Sequence, residues 1–296
     1  MPYITNGNAK IYYDDSGNTS DPAILTSHGV CENGSYWALT GVSENLVQAG
    51  FRVVNIDMRG HGRSVPIDPD QDPGYNSSSV ASDFAAVADQ LDIEKFHLLT
   101  HATGGMAGLQ YAIDHSDRLL SLMSTDTGSA TAPSDKFCSP EYDNHSYRVI
   151  DCSNSQMASA YEKFTVAQMM ERARKGDGGP FLNRLNTNSN ADYCWKTTEE
   201  ILTTGNPVYY SAFQRSFYTN PDPQVTGLKG ISCPCLALLG EHDVLFIKPS
   251  GLLVRCIPNV KHVVMSGLGH MTAIEDPAGT SKELIGFLKS VALGRI

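Results

Sequence analysis

The sequence predicts an α/β protein in which a mainly parallel sheet is covered by helices on both faces and interrupted by a helical insertion. Three observations carry this expectation. Apolar runs of strand length alternate with longer stretches of helical period through the first 127 residues and again from residue 224. Between them, residues 128–223 are rich in polar and turn residues, with helical stretches but no buried strand. At Leu98-Leu99-Thr100-His101-Ala102-Thr103-Gly104-Gly105 an apolar strand runs into a glycine-backed turn and then a helix.

Taken in order, residues 9–14 and 23–27 have strand length and pattern, 36–49 have helical period closed by Gly50, and 52–56 form the next strand. A helix over 80–91, a strand over 95–100, a helix over 103–115 and a strand over 119–124 follow. Within the insertion the helical stretches are 165–175, 197–203 and 209–218. Alternation resumes with a strand over 235–239, a helix over 249–256, a strand over 262–265 and an amphipathic helix over 281–293. One core domain of residues 1–127 and 224–296, with a lid at 128–223, accounts economically for a chain of 296 residues.

Composition narrows the function classes. The chain is 41% hydrophobic and 18% charged, a globular balance that can bury a large core. A net charge of −10 without a cluster of Lys and Arg argues against nucleic acid or an anionic membrane as partner. A small-molecule substrate fits better, and a homodimer stays open. The amino-terminal stretch has neither a basic start nor a long apolar run, and nothing approaches the roughly 18 apolar residues of a membrane span, so a cytoplasmic protein is expected. Seven cysteines without zinc spacing suit reduced thiols, and Cys233-Pro234-Cys235 opens a core strand. Cys138, Cys152 and Cys194 fall in the irregular region, where a disulfide stays open. No His/Asp/Glu cluster has metal-ligand spacing, and no cofactor is expected.

The turn at Ala102 is where a nucleophile is expected. In Gly-x-Ser-x-Gly a serine sits on a sharp strand-to-helix turn that lifts its oxygen clear of the sheet edge, and small flanking residues let the turn close. Here Thr100 is a mild departure, while Gly104 and Gly105 keep the helix close to the strand. Two further loops at strand ends carry residues that acyl transfer needs: Gly240-Glu241-His242-Asp243 and Gly267-Leu268-Gly269-His270. Together they give the chain order nucleophile position, acid, histidine. His28-Gly29 and Asp57-Met58-Arg59-Gly60-His61-Gly62-Arg63-Ser64 each follow a strand as well.

These motifs in this order resemble the α/β-hydrolase superfamily, in its serine-hydrolase, esterase- or lactonase-like branch, over residues 9–293. The resemblance implies a mostly parallel eight-stranded sheet with an inserted helical lid. His270 is the candidate base that takes a proton from the attacking alcohol, and Asp243 would hold its tautomer and stabilise the imidazolium. Family geometry assigns the oxyanion donors to the backbone N–H groups of Val30 and Thr103, which survive any side-chain change at position 102. Asp126, after the strand 119–124, is a position from which some members draw their acid. Asp243 is favoured because its Gly240-x-x-Asp243 pattern is complete.

Ala102 admits three readings: a serine replaced by alanine in an otherwise competent enzyme, a natural binding or sensor module, and a replaced aspartate. The third is weak, because dehalogenases and epoxide hydrolases of this fold usually have Trp or Arg after the nucleophile and Pro soon after His-Gly. Here Thr103 and Val30-Cys31 stand instead. The leading substrate class is a small hydrophobic or ring-bearing carboxylic ester or lactone, since the insertion holds Trp195, Tyr209, Tyr210, Phe213, Phe217 and Tyr218. A C–C bond hydrolase is the less favoured alternative, because Met271 follows His270 where such enzymes often have Trp. Cys31, Asp126, Leu245, Met271, Tyr209 and Phe213 are the substrate-contact candidates. His28, His61 and His101 are expected to support loops, and Asp57 and Arg59 to stabilise a turn.

Overall fold

Strand-length apolar runs all enter one sheet. The computed structural model describes residues 2–129, 153–218, 224 and 226–296. Its strands are β1 (Tyr3–Asn6), β2 (Ala9–Ser16), β3 (Ala23–Ser27), β4 (Arg52–Ile56), β5 (Val65–Pro66), β6 (Phe96–His101), β7 (Leu119–Thr125), β8 (Cys235–Gly240) and β9 (Val260–Met265). Eight of them run in the order β1-β2-β4-β3-β6-β7-β8-β9, while the two-residue β5 pairs beside β2. β1, β2 and β4 pair antiparallel in succession, and every neighbouring pair from β4 to β9 is parallel.

The two-faced covering follows from side-chain alternation. Successive strand residues point to opposite faces, so Leu98, Leu122 and Ala237 enter one apolar cluster while Leu99, Met123 and Leu236 enter the other. The first cluster is closed by helices Ser77–Gln90 and Ala102–His115 through Phe84, Met106 and Leu109. The second is closed by helices Val42–Gln48 and Pro277–Ala292 through Leu46, Leu284 and Phe287. Strands β3, β4, β6 and β8 are buried along their whole length, as a parallel sheet with two covered faces requires.

In the core, the helix 36–49 and the starts of two others differ from the sequence reading for identifiable reasons. The expected single helix 36–49 is divided into Ser35–Leu39 and Val42–Gln48 by Gly41, whose φ of +77° no helix accommodates. The helix expected from residue 80 begins at Ser77, because the side chain of Asn76 accepts the Ser79 N–H at 2.8 Å and caps it. The last helix begins at Pro277, capped by Asp276 on the Gly279 N–H at 2.9 Å.

Between β7 and β8 lies the insertion, whose described elements are all helical. They include Ser153–Lys163, Val166–Arg172, Ala191–Thr203 and Tyr210–Phe217. The helix expected over 165–175 ends early, in a wider turn over Ala173–Asp177 where Gly176 takes φ +97°. The thiol of Cys194 is free and buried, and Cys138 and Cys152 lie outside the described residues. Cys233 and Cys235 are free, buried thiols where β8 begins.

Candidate functional site

The turn at position 102 is built by steric necessity. Strand β6 passes into helix Ala102–His115 without an intervening residue, and Ala102 takes φ +47°, a left-handed conformation costly to any residue with a Cβ. Such a turn closes only over small neighbours. A Cβ on Gly104 would lie 2.5 Å from the His28 carbonyl oxygen, and one on Gly105 would collide with Thr127. Hydrogen bonds fix the same packing: Gly104 N–H donates to the His28 carbonyl at 3.1 Å, and Thr127 Oγ1 donates to the Ala102 carbonyl at 2.6 Å. The first of these ties the helix start to the loop that carries Val30. Thr103 stands in the first turn of the helix, where backbone N–H groups have no intrahelical acceptor.

The loops after β8 and β9 meet. A Cβ on Gly240 would strike the Gly269 carbonyl, so only glycine lets the two loops pack this closely. His270 Nδ1 lies 2.9 Å from Asp243 Oδ2, and both side chains are buried. Glu275 braces the histidine loop by accepting the N–H groups of Gly269 at 2.8 Å and Met271 at 3.1 Å. Phe246 stacks on the His270 ring at 5.3 Å between centroids, and Phe181 meets it edge-on at 4.8 Å. Burial alone would pull the imidazole pKa down, but the carboxylates of Asp243, Asp126 and Glu275 outweigh it and raise the value above that of an ordinary histidine.

Asp126 is held in a buried hydrogen-bond network. It has no exposed surface, and its oxygens accept the Gly240 N–H at 3.1 Å and the Thr272 hydroxyl at 2.6 Å. It therefore ties β7 to β8 and to the short helix Thr272–Glu275. Burial, reinforced by Asp243, pushes its pKa well above the carboxylate range.

His101 joins a buried chain of groups instead of supporting a loop. Its Nδ1 lies 3.5 Å from Asp126 Oδ2, its Nε2 lies 3.6 Å from Glu32 Oε1, and its ring stacks on Tyr36 at 4.5 Å and lies 5.1 Å from the ring of His270. Glu32 Oε2 accepts the Gly29 N–H at 2.6 Å, and burial pushes the Glu32 carboxyl up to about 8.

The remaining expectations divide. His28 supports its loop: Nε2 accepts the Met58 N–H at 3.0 Å, so the ring N–H is on Nδ1, 2.7 Å from the Gly29 carbonyl. His61 packs between Tyr210 and Phe213, with Nδ1 3.2 Å from the Arg59 carbonyl. Asp57 stabilises its turn by accepting the N–H groups of Gly34 and Arg63 at 2.6 and 2.7 Å. Arg59 instead reaches helix Ser77–Gln90, where its guanidinium bonds both oxygens of Asp83 at 2.6 and 2.8 Å.

Of the substrate-contact candidates, Phe213 is wholly buried among His61, Tyr75 and Phe217 and packs the insertion onto the core. Met271 is buried in the second apolar cluster, and Leu245 and Tyr209 pack partly buried against the first. Cys31, at φ +68°, has its Sγ 2.5 Å from the Tyr161 hydroxyl. Glu32, Glu275, Phe181, Phe246, Tyr161 and Gln214 were not singled out by the sequence. Only Glu32 left a trace, a carboxylate three residues beyond the glycine whose N–H it accepts. Among the described residues no three His, Cys, Asp or Glu side chains group closely enough to hold a metal ion, and no helix is long and apolar enough to cross a membrane.

Comparison with known proteins places the chain in a family. The alpha/beta hydrolase fold family matches residues 22–277. This chain belongs to that family. A putative carbamate hydrolase, RutD, from Caulobacter vibrioides is 39% identical over 115 residues, which is 39% of this chain and 40% of that protein. A fluoroacetate dehalogenase from Burkholderia is 36% identical over 104 residues, 35% of this chain and 33% of that protein. The chain thus matches well under half the length of these relatives. A carboxylesterase structure from Nitrososphaera gargenis superimposes with a TM-score of 0.79 at 21% identity, covering 99% of this chain and 100% of the other. The enol-lactonase of Burkholderia xenovorans LB400 gives 0.73 at 20% identity, covering 97% and 100%. At such identities the likeness concerns the alpha/beta hydrolase fold alone.

Proposed function

We propose that this chain carries the acyl-transfer apparatus of a serine hydrolase acting on small carboxylic esters or lactones, assembled around an alanine in place of the nucleophile. The observation that supports it most is the buried His270–Asp243 pair at 2.9 Å, at strand ends beside a left-handed elbow at Ala102. In this reading a serine hydroxyl at position 102 gives its proton to His270 Nε2 as its oxygen bonds the acyl carbon. Asp243 stabilises the resulting imidazolium, and the N–H groups of Val30 and Thr103 receive the oxyanion. The proton then passes to the departing alkoxide, and water repeats the sequence to free the acid. The helical insertion serves as a lid over the site, and the partner is a small molecule.

With Ala102 there is no oxygen to attack, so the chain as it stands binds such a substrate without cleaving it. Installing the nucleophile by Ala102→Ser and assaying aryl acetates and a set of lactones tests this. Hydrolysis is expected to rise by about 10³-fold or more, in keeping with what a triad loses when one member is removed. Activity should increase with pH through a midpoint above about 6.5, because the base works only when neutral and His270 holds its proton more tightly than a free histidine. A folded Ala102→Ser protein that stays silent across both panels would instead identify a binding module on a hydrolase fold.

A further inference from the structure

The turn that carries Val30 is held at both ends by its own residues. Glu32 N–H donates to the Gly29 carbonyl at 3.3 Å, and the Glu32 carboxyl accepts the Gly29 N–H at 2.6 Å. Among the described residues no backbone carbonyl accepts the N–H of Val30 or of Cys31, so the middle of the turn has no such anchor. There Cys31 takes φ +68°, a conformation that the third position of a turn usually gives to glycine. For a residue with a Cβ it is disfavoured about tenfold or more. The relief is a rotation of the Val30–Cys31 peptide, and Val30 shifts with it. The turn lies against the elbow, since a Cβ on Gly29 would be 3.1 Å from the Cβ of Ala102. Misplacing a catalytic group there by about 1 Å costs about a hundredfold in rate.

What holds the middle of the turn comes from the insertion. The Cys31 thiol lies 2.5 Å from the Tyr161 hydroxyl of helix Ser153–Lys163, and it also meets the Gln214 amide of helix Tyr210–Phe217. Both bonds go to the one residue of the turn whose backbone is disfavoured. Burial pushes the thiol pKa up to about 12, so it stays a neutral S–H that can donate one bond and accept another. The insertion reaches the other expected oxyanion donor as well, for the Tyr218 hydroxyl lies 2.5 Å from Thr103 Oγ1. The Thr103 backbone, however, is already fixed by helix Ala102–His115, whereas the turn at Val30 belongs to no helix.

We propose that Cys31 is a positioning residue through which the insertion holds the oxyanion loop: Tyr161 and Gln214 grip its thiol, and this grip keeps the Val30 N–H aimed at position 102. The role of that N–H rests on the hydrolase reading, but the grip itself is testable on the chain as it stands. Cys31→Ala loses both bonds and keeps the Cβ, while Cys31→Gly loses both bonds together with the Cβ that disfavours the turn. Hydrogen exchange at the Gly29 and Glu32 amides, followed by NMR, reads the turn directly. Exchange should be about tenfold faster in Cys31→Ala than in the parent, and about tenfold slower in Cys31→Gly than in Cys31→Ala. Cys31→Ser, which keeps a donor and an acceptor, should stay near the parent, and Tyr161→Phe should fall between the parent and Cys31→Ala.

Exchange unmoved in Cys31→Ala would overturn the proposal. So would exchange faster still in Cys31→Gly, the result that added flexibility alone would give. With turnover installed by Ala102→Ser, Cys31→Ala should lower kcat on aryl acetates about tenfold or more with KM little changed, because the donor acts on the transition state. Cys31→Gly should recover most of that loss. The expected exchange pattern with kcat unmoved would also overturn the assignment. A silent Ala102→Ser protein whose variants still show the exchange pattern would sink the hydrolase reading and leave Cys31 as the residue by which the insertion holds the turn.

Discussion

Glu32 shows at the scale of one residue how position overrides type. A glutamate normally ionises near 4.3, but this carboxyl is 4% exposed, accepts the Gly29 N–H and is pushed up to about 8 by burial. It therefore carries its proton at neutral pH. Because the unfolded chain would release that proton near 4.3, the folded state loses relative stability as pH rises from there to about 8. Glu32→Gln, which cannot ionise, should melt at a higher temperature than the parent at pH 8.5 and show no such gain at pH 4. Thermal melts of the two proteins at both pH values check this, and a pH-independent difference would mean that Glu32 is ionised in the fold.

The residues at this scale were unequally legible. Asp243 and His270 could be picked out because each stands in a loop just beyond a strand, in a short pattern opened by glycine. Glu32, Glu275 and Gln214 could not, because a lone acid or amide in a loop or on an amphipathic helix looks like a solvated residue until its burial is known. The sequence makes His101 look like a loop support for the same reason, because its neighbours Glu32 and Asp126 arrive from distant parts of the chain.

Among the elements, the loop from Asp57 to Ser64 does more than turn the chain. Arg59 reaches helix Ser77–Gln90 and forms a buried two-point pair with Asp83, while His61 packs against Tyr210 and Phe213 of the insertion. One short loop thus joins a core helix to the helices of the insertion. Removing one partner of a buried pair leaves the other charge uncompensated, so Arg59→Ala should cost about 3–5 kcal/mol in unfolding free energy. Denaturant melts would show it, and a loss below about 1 kcal/mol would place the pair among exposed salt bridges.

Element boundaries were legible where the side chains alternate and illegible where a single cap or turn decides. Seven strand-length runs were located within two residues, because burial on both faces leaves an apolar signature. Helix Ser77–Gln90 was placed three residues late, because three serines after Asn76 carry no apolar period and only the cap reveals the start. β1 and β5 are short pairings with too little apolar content to leave a pattern in the sequence.

For the whole molecule, alternation of apolar strands and helices implied the sheet, its parallel order and its two covered faces, and these are what position three strand-end loops together. The insertion was legible only as a break in that alternation. How its helices meet the core depends on contacts such as Tyr161 with Cys31 and Tyr218 with Thr103, each more than a hundred residues apart in sequence. No local pattern encodes such pairs.

The central claim is that base, acid and oxyanion donors stand ready around an unreactive side chain. A fluorophosphonate probe tests it most directly, because it phosphonylates a hydroxyl only where that hydroxyl is activated and the charged oxygen is received. Intact-mass spectrometry should find no adduct on the chain as it stands and one adduct at position 102 in Ala102→Ser. The adduct should disappear when His270→Ala is added. No labelling of folded Ala102→Ser, or labelling that persists without His270, would contradict the account.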